Sequence, residues 1–286
     1  MTVINTNVAA TLTANALTKN ERAMNQAMER LSTGQRINSA GDDAAGLAIS
    51  SKMTSQVNGL NQAVRNVNDA ISMVQTADGA VVEIESMLQR MRELAVQARS
   101  ESNSSTDRAA LDLEFEALDA GINDIAQNTQ WNGVTLLNTD SGKSVVFQVG
   151  ANANQELTVV FQDFNTAAAD SSGGIFEGLD QSALGGTAAT DLASADIGTS
   201  ASNAEAAIAR LDFAIEHVNS HRATLGSVIS RLEYSADNLS NVSQNTSASR
   251  SRVLDADYAT ETTELARTQI IQQAGTAMLS QANQQA

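Results

Sequence analysis

The sequence of 286 residues contains no proline and no cysteine, and its aromatic residues amount to only 3%. Each absence excludes something. Proline ends helices more firmly than any other residue, and a chain this long would ordinarily hold about a dozen, so long uninterrupted helices are permitted. Without cysteine there is no disulfide, no thiolate metal site and no thiol nucleophile. Any core must be assembled from Ala, Leu, Ile, Val and the eight Met, a palette that suits thin helical interfaces. Positive charge is also scarce. The net charge of -16 argues against nucleic acid or an anionic membrane as a partner, because both select basic surfaces. No apolar run approaches the roughly 20 residues of a membrane-spanning helix. The opening "MTVINTNVAATLTANALTKN" lacks the basic start and apolar run of a secretory signal, so the chain is expected to stay in the cytoplasm or to leave by a route that reads no such signal.

What is present is periodicity. From Met53 apolar residues recur at Val57, Leu60, Val64, Val67, Ile71, Val74, Ala77, Val81, Ile84, Leu88, Met91, Ala95 and Ala98. Steps of four and three average near the 3.5 of a coiled-coil seam, which predicts a helix of about 55 residues. The polar run "ESNSSTD" (101–107) interrupts it, and the period resumes at Leu111, Phe115, Leu118, Ile122 and Ile125, implying a short antiparallel return. In "QWNGVTLLN" the Asn132-Gly133 pair signals a turn, and "SVVFQVG" and "ELTVVF" read as two strands joined by "ANANQ". Residues 166–200 are rich in Ala, Gly, Ser, Thr and Asp and cannot anchor a core of their own. A second strong stripe follows at Ile208, Leu211, Ile215, Val218, Leu225, Ile229, Leu232, Ala236 and Leu239, interrupted by Arg222. The fold class expected is therefore mainly α: long antiparallel helices forming a coiled-coil-like rod with a small β-hairpin patch.

The ends carry narrower stripes. Val8, Leu12, Ala16, Ala23, Ala27 and Leu31 mark one face near the N-terminus; Leu265, Ala266, Ile270, Ile271, Ala274, Ala277 and Met278 mark one near the C-terminus. The first stretch is net basic (Lys19, Arg22, Arg30, Arg36) and the second net acidic (Asp255, Asp257, Glu261, Glu264). Two helices alone bury too little apolar area to offset their ordering entropy, so these ends are expected to order against neighbouring copies of the chain.

Two stretches invite a chemical reading. In "LSTGQRINSAGDDAAGLAIS" (31–50), Gly34, Gly41, Asp42 and Asp43 sit where the terminal pattern stops and the central one starts. A calcium loop needs more ligands than two carboxylates. A joint in which glycine relaxes the backbone and an Asp caps the next helix needs no more than is there. In "HVNSH", His217 and His221 share a helical face at the spacing of a zinc-protease helix, but Val218 stands where that motif has its catalytic Glu. Both histidines are expected at the surface or the edge of the seam, and Arg222 is expected to lay its stem along the seam with its head at the rim. No cofactor or metal site is expected, and no enzymatic activity.

The stretch 31–50, together with "GLNQAVRNVNDAISMVQTADGAVVEIESMLQRMRELAVQ" and "QWNGVTLLN…FQVGANANQ", resembles bacterial flagellin, the subunit of the flagellar filament. The resemblance covers residues 1 to about 165 and about 200 to 286. It implies that 1–40 with 252–286 are inner-tube terminal helices, that 41–165 with 201–251 are the outer-tube helical part with its hairpin, and that 166–200 is a short variable surface segment. Gly34, Gly41, Asp42 and Asp43 would then form the spoke joint. It further implies an extracellular filament subunit for swimming, exported through the flagellar type III channel and assembled beneath a filament cap. Its partners would be other subunits of its kind, an export chaperone on the C-terminal helix (Leu265, Ile270, Ile271, Met278) and the Toll-like receptor for flagellin. Gln89, Arg90, Leu94, Gln97 and Glu114 would supply the inter-subunit and receptor surface. Members of the family usually continue past "MLSQANQQA" into a Leu-rich tail that is not in this sequence. Two alternatives are a hook-filament junction protein, which would share the ends but diverge between them, and a pore-forming translocator, which would need a strongly apolar hairpin.

Overall fold

A computed structural model describes residues 8–138, 143–164, 197–198 and 200–285. The expected variable segment 166–200 lies outside the described residues except at its C-terminal edge. Among the described residues there are five helices, α1 (Val8–Thr33), α2 (Ala44–Arg99), α3 (Ser105–Asn128), α4 (Ala201–Leu254) and α5 (Tyr258–Gln285). Two small antiparallel hairpins, β1 (Gln130–Trp131) with β2 (Val134–Thr135) and β3 (Lys143–Gln148) with β4 (Glu156–Phe161), lie between α3 and α4 in the chain. The fold is mainly α, as the periodicity predicts. The second hairpin is the expected one. The first is an addition, turned by Asn132 and Gly133, both at positive φ (48° and 77°), as a two-residue hairpin turn requires.

The chain divides into two compact units, residues 59–240 and the combination of 1–58 with 241–286. In the first, α2 buries Leu60, Ala63, Val67, Ala70, Val74, Ala77, Val81, Ile84, Leu88, Met91, Ala95 and Ala98, an unbroken alternation of three and four. The facing stripe of α4 is Ala204, Ala207, Leu211, Ala214, Val218, His221, Leu225, Val228 and Leu232, with the same alternation. Two sustained 3.5-residue repeats are what a coiled-coil seam consists of. Phe115, Ile122 and Ala126 of α3, and Val159, Phe161 and Phe164 at the end of the larger hairpin, close the same core. α3 begins on a capping box, in which the Ser104 side chain accepts from the Asp107 N–H and the Asp107 carboxylate accepts from the Ser104 N–H.

Flanking the seam is a charge pattern with a seven-residue period. Asp78, Glu85, Arg92 and Arg99 occupy one repeating position of α2, and all four pair with α4. Arg222 donates to Asp78 (3.2 Å) and Glu85 (2.6 Å), Arg92 pairs with Asp212, and Arg99 donates to Glu205 (3.2 Å). As α2 advances, its partners on α4 retreat, so the helices run antiparallel. In a parallel arrangement the acidic half of this row would meet Glu205 and Asp212. The sequence of signs thus selects the orientation, as e and g charges do in coiled coils.

The terminal unit has a much thinner interior. α1 and α5 run antiparallel. The Asn20 side-chain amide donates to the Thr268 carbonyl (2.7 Å), Arg30 pairs with Glu261 (3.0 Å), and the Tyr258 hydroxyl donates to the Leu31 carbonyl (3.0 Å). Among described side chains the only fully buried apolar residue of either helix is Ala27, and the others buried are the polar Glu261 and Thr268. The N-terminal stripe departs from expectation. Its second half holds, with Ala27 buried and Ala23 and Leu31 half-covered, but Val8, Leu12 and Ala16 are exposed and the half-covered positions there are Ala10, Thr13, Leu17 and Asn20.

Candidate functional site

The joint between α1 and α2 is built from its own hydrogen bonds. Gly34 adopts φ +71°, a conformation any side chain would strain. The chain then pairs with the segment between α4 and α5, since the Arg36 N–H donates to the Leu254 carbonyl (2.7 Å) and the Ala256 N–H to the Gly34 carbonyl (3.0 Å). Asp42 accepts from the Ser39 N–H (2.9 Å) and hydroxyl (3.1 Å), the Asn38 N–H (3.2 Å) and the Gln26 amide (3.1 Å). These donors, the Ser39 N–H foremost, hold its carboxyl below the usual 3.8. Asp43 caps α2 by accepting from the Gly46 N–H at 2.8 Å. The two carboxylates are thus turned to different tasks. Gly41 is exposed and not at positive φ, while Gly46, buried, leaves room for Ile37, whose Cδ1 would lie 2.6 Å from an added Cβ.

On α2 and α3 the arginine of the second candidate surface is heavily engaged. Arg90 donates through Nε (3.0 Å) and Nη2 (2.8 Å) to Glu114 and through Nη1 to Glu93 (2.9 Å). Gln89, exposed, donates to Glu85 (3.2 Å), and the carbonyl of the exposed Gln97 accepts from Asn103 (2.6 Å). Leu94 is the exception: it is 1% exposed and belongs to the core rather than to the surface read from the sequence. It lies one turn beyond Arg90, on the side of α2 that α3 covers. Leu94 therefore supports this face from beneath.

On α5 three of the large apolar residues are exposed. Ile270 is 66% and Met278 59% exposed, and Ile271 is also exposed, while Leu265 is half-covered. Met28 of α1 is exposed as well. Asp257 caps α5 by accepting from the Ala259 N–H and the Thr260 hydroxyl (both 3.0 Å).

The two histidines part company. His217 is exposed, its ring 4.1 Å from that of Phe213. His221 is buried, not at the surface or the edge, because the inward stripe of α4 runs through it and not through Arg222. Arg222 sits beside the seam with its guanidinium on two carboxylates. Among the described residues no group of three or more His, Cys, Asp or Glu gathers as metal ligands would. No described helix is long and apolar enough to cross a membrane.

Comparison with known proteins places these surfaces in a family context. Residues 4–141 match the bacterial flagellin N-terminal helical region, and residues 208–286 the bacterial flagellin C-terminal helical region. A flagellin of Halalkalibacterium halodurans is 45% identical over 91% of this chain and 88% of its own length. One of Bacillus subtilis is 42% identical over 99% and 96%. A solved structure of a putative flagellar hook-associated protein from Vibrio parahaemolyticus matches with a TM-score of 0.58 over 75% of this chain and all of that one; at 12% identity this likeness concerns the fold alone.

Proposed function

The chain belongs to the bacterial flagellin family, and from that premise we propose how its parts divide the work of the subunit. It is a structural protein that self-assembles with other flagellin subunits into the extracellular filament of the bacterial flagellum, used for swimming. The hook-filament junction alternative is not favoured, because the identity to flagellins runs through the middle helices as well as the ends.

In the proposed division, 1–40 with 252–286 form the inner tube, 41–165 with 201–251 the outer tube, and 166–200 a surface segment. The observation that carries it is the contrast in burial: two long buried stripes meeting in one seam in the unit 59–240 against a terminal helix pair whose Ile270, Ile271, Met278, Val8, Leu12 and Met28 remain exposed. So many large apolar side chains left exposed on one thin helix pair are what a partner surface would cover. For the inner tube that partner is a neighbouring subunit, and before export it is the chaperone, which would hold Leu265, Ile270, Ile271 and Met278. The joint of Gly34, Gly41, Asp42 and Asp43 links the two regions, and assembly beneath the cap follows from the same terminal helices. Deleting 255–286 is expected to leave a helical, soluble protein that forms no filaments by negative-stain microscopy; filaments from that protein would refute the division.

The surface of Gln89, Arg90, Gln97 and Glu114, supported by Leu94, serves first as inter-subunit contact and, in the free subunit, as the face for the Toll-like receptor. Its support is the exposed ion-pair network across α2 and α3. Arg90→Ala should reduce receptor signalling in a reporter-cell assay at unchanged helicity, and full signalling would remove Arg90 from that face.

A further inference from the structure

The described part of α4 carries a buried titratable group with no role in any surface above. His221 occupies an inward position between Val218 and Leu225, where the repeat otherwise holds apolar residues, and is 6% exposed. Its Nε2 is buried with no hydrogen-bond partner. Its ring lies 5.6 Å from that of Phe164, tilted by 60°. Phe164 follows β4 and is itself pinned by its N–H donating to the Leu137 carbonyl at 2.9 Å. The imidazole thus ties the helical seam to the segment leaving the larger hairpin, and it does so only as a neutral ring.

The charged surroundings offer a second proton on that ring little compensation. From α2 the charge that acts on the ring is Asp78, already paired with Arg222, which also holds Glu85. On α4 the neighbours are that same Arg222, a cation, and His217 one turn back. From the segment after β4 comes Asp163, buried and engaged in an interaction of its own. An imidazolium here would place a charge inside an apolar seam, and it could recover hydration only by leaving.

We propose that His221 is an acid-sensitive joint in the unit 59–240, at which uptake of one solvent proton on Nε2 breaks the contact with Phe164 and opens the α2–α4 seam around it. The only bond formed is the new N–H. Burial supports the direction, holding the ring's basicity down from 6.5 to about 4, with the Asp78 charge opposing in part. The sign follows. The unfolded chain takes up this proton near 6.5 and the folded chain only near 4, so folded-state stability falls as pH drops across that window and levels off below it. The loss amounts to a folded-to-unfolded ratio lower by on the order of a hundredfold.

The chain has only two histidines, so NMR of the full-length monomer in dilute solution reads both ring signals directly, with His217→Leu providing the assignment. The expected result is a His221 signal that stays neutral well below pH 6 and changes together with loss of amide protection over 211–232. In parallel, His221→Leu should flatten the dependence of melting temperature on pH between 6.5 and 4 relative to the unaltered protein. A His221 midpoint at pH 6 or above with that unit intact overturns the proposal. So does a His221→Leu protein whose melting follows the same pH curve as its parent; should that variant fail to fold, the NMR titration decides alone.

Discussion

The charge row beside the seam makes a claim that a single reversal can test. Arg222→Glu removes two ion pairs, at 3.2 Å to Asp78 and 2.6 Å to Glu85. The side chains of Arg222 and Asp78 are each 34% exposed and that of Glu85 16%, so solvent screens the first pair more than the second. Partly exposed pairs of this kind contribute between about 0.2 and 1 kcal/mol each. The reversal also sets a third carboxylate between Asp78 and Glu85, which stand two turns apart on α2, a repulsion of similar size. The total is about 2 kcal/mol, or a fall in melting temperature of roughly 4–8 °C for a unit of this size. Thermal and urea unfolding followed by circular dichroism measures it, and the loss should shrink in high salt as screening increases. The decisive arm is the compensating change. Glu85→Arg introduced into the Arg222→Glu protein restores one pair with its signs exchanged and should recover at least half the loss. A reversal that costs under about 0.3 kcal/mol, or a double variant no more stable than the single one, would show that these charges merely decorate the surface.

Three further outcomes follow from the same structure. Leu232→Asp places a carboxylate at a fully buried seam position of α4 and should cost more than about 3 kcal/mol, visible as a sharply lowered or absent cooperative melt. Gly34→Ala forces a side chain into φ +71° and should lower stability by about 1 kcal/mol, whereas Gly41→Ala, exposed and at ordinary φ, should be neutral; equal melting of the two variants would contradict the geometry. Asp42→Asn should speed hydrogen exchange at the Asn38 and Ser39 amides at neutral pH. The contribution of the ionised form is present above 3.8 and disappears as pH falls through the lower value of the folded chain, so the two proteins should converge in acid.

Much of this architecture is written in the sequence, and the exceptions along the seam share a cause. From Val74 to Ala98 every position of the apolar period of α2 is buried, and Leu94 is buried besides. Earlier in the helix it favours Val64 and Ile71, which are half-covered, over Ala63 and Ala70, which are fully buried. The same displacement affects Ile208 and Ile215 against Ala207 and Ala214 on α4. At a close helix contact the smallest side chain lies on the line between axes and the branched one flanks it, so choosing the larger residue shifts the stripe by one. That shift also put Arg222 on the seam and His221 beside it, when the reverse holds. The misplaced surface residue Leu94 has another origin: one helix-wide period cannot reveal that a third helix covers part of α2. The charge row at 78, 85, 92 and 99 has a seven-residue spacing that the sequence alone does not single out, because its meaning comes from the partners on α4. At the joint, a capping Asp followed from local chemistry, whereas the choice of Asp43 over Asp42 and the part of Gly46, a close approach by Ile37, did not.

The account rests on the terminal helices gaining their stability from neighbouring copies, and hydrogen exchange read by mass spectrometry on dilute monomer and on assembled filament tests it most directly. In the monomer, amides of 8–33 and 258–281 should exchange orders of magnitude faster than those of 60–98 and 204–232, and in the filament all four stretches should be protected. Terminal helices as protected in the dilute monomer as the central seam, with no further gain on assembly, would contradict it.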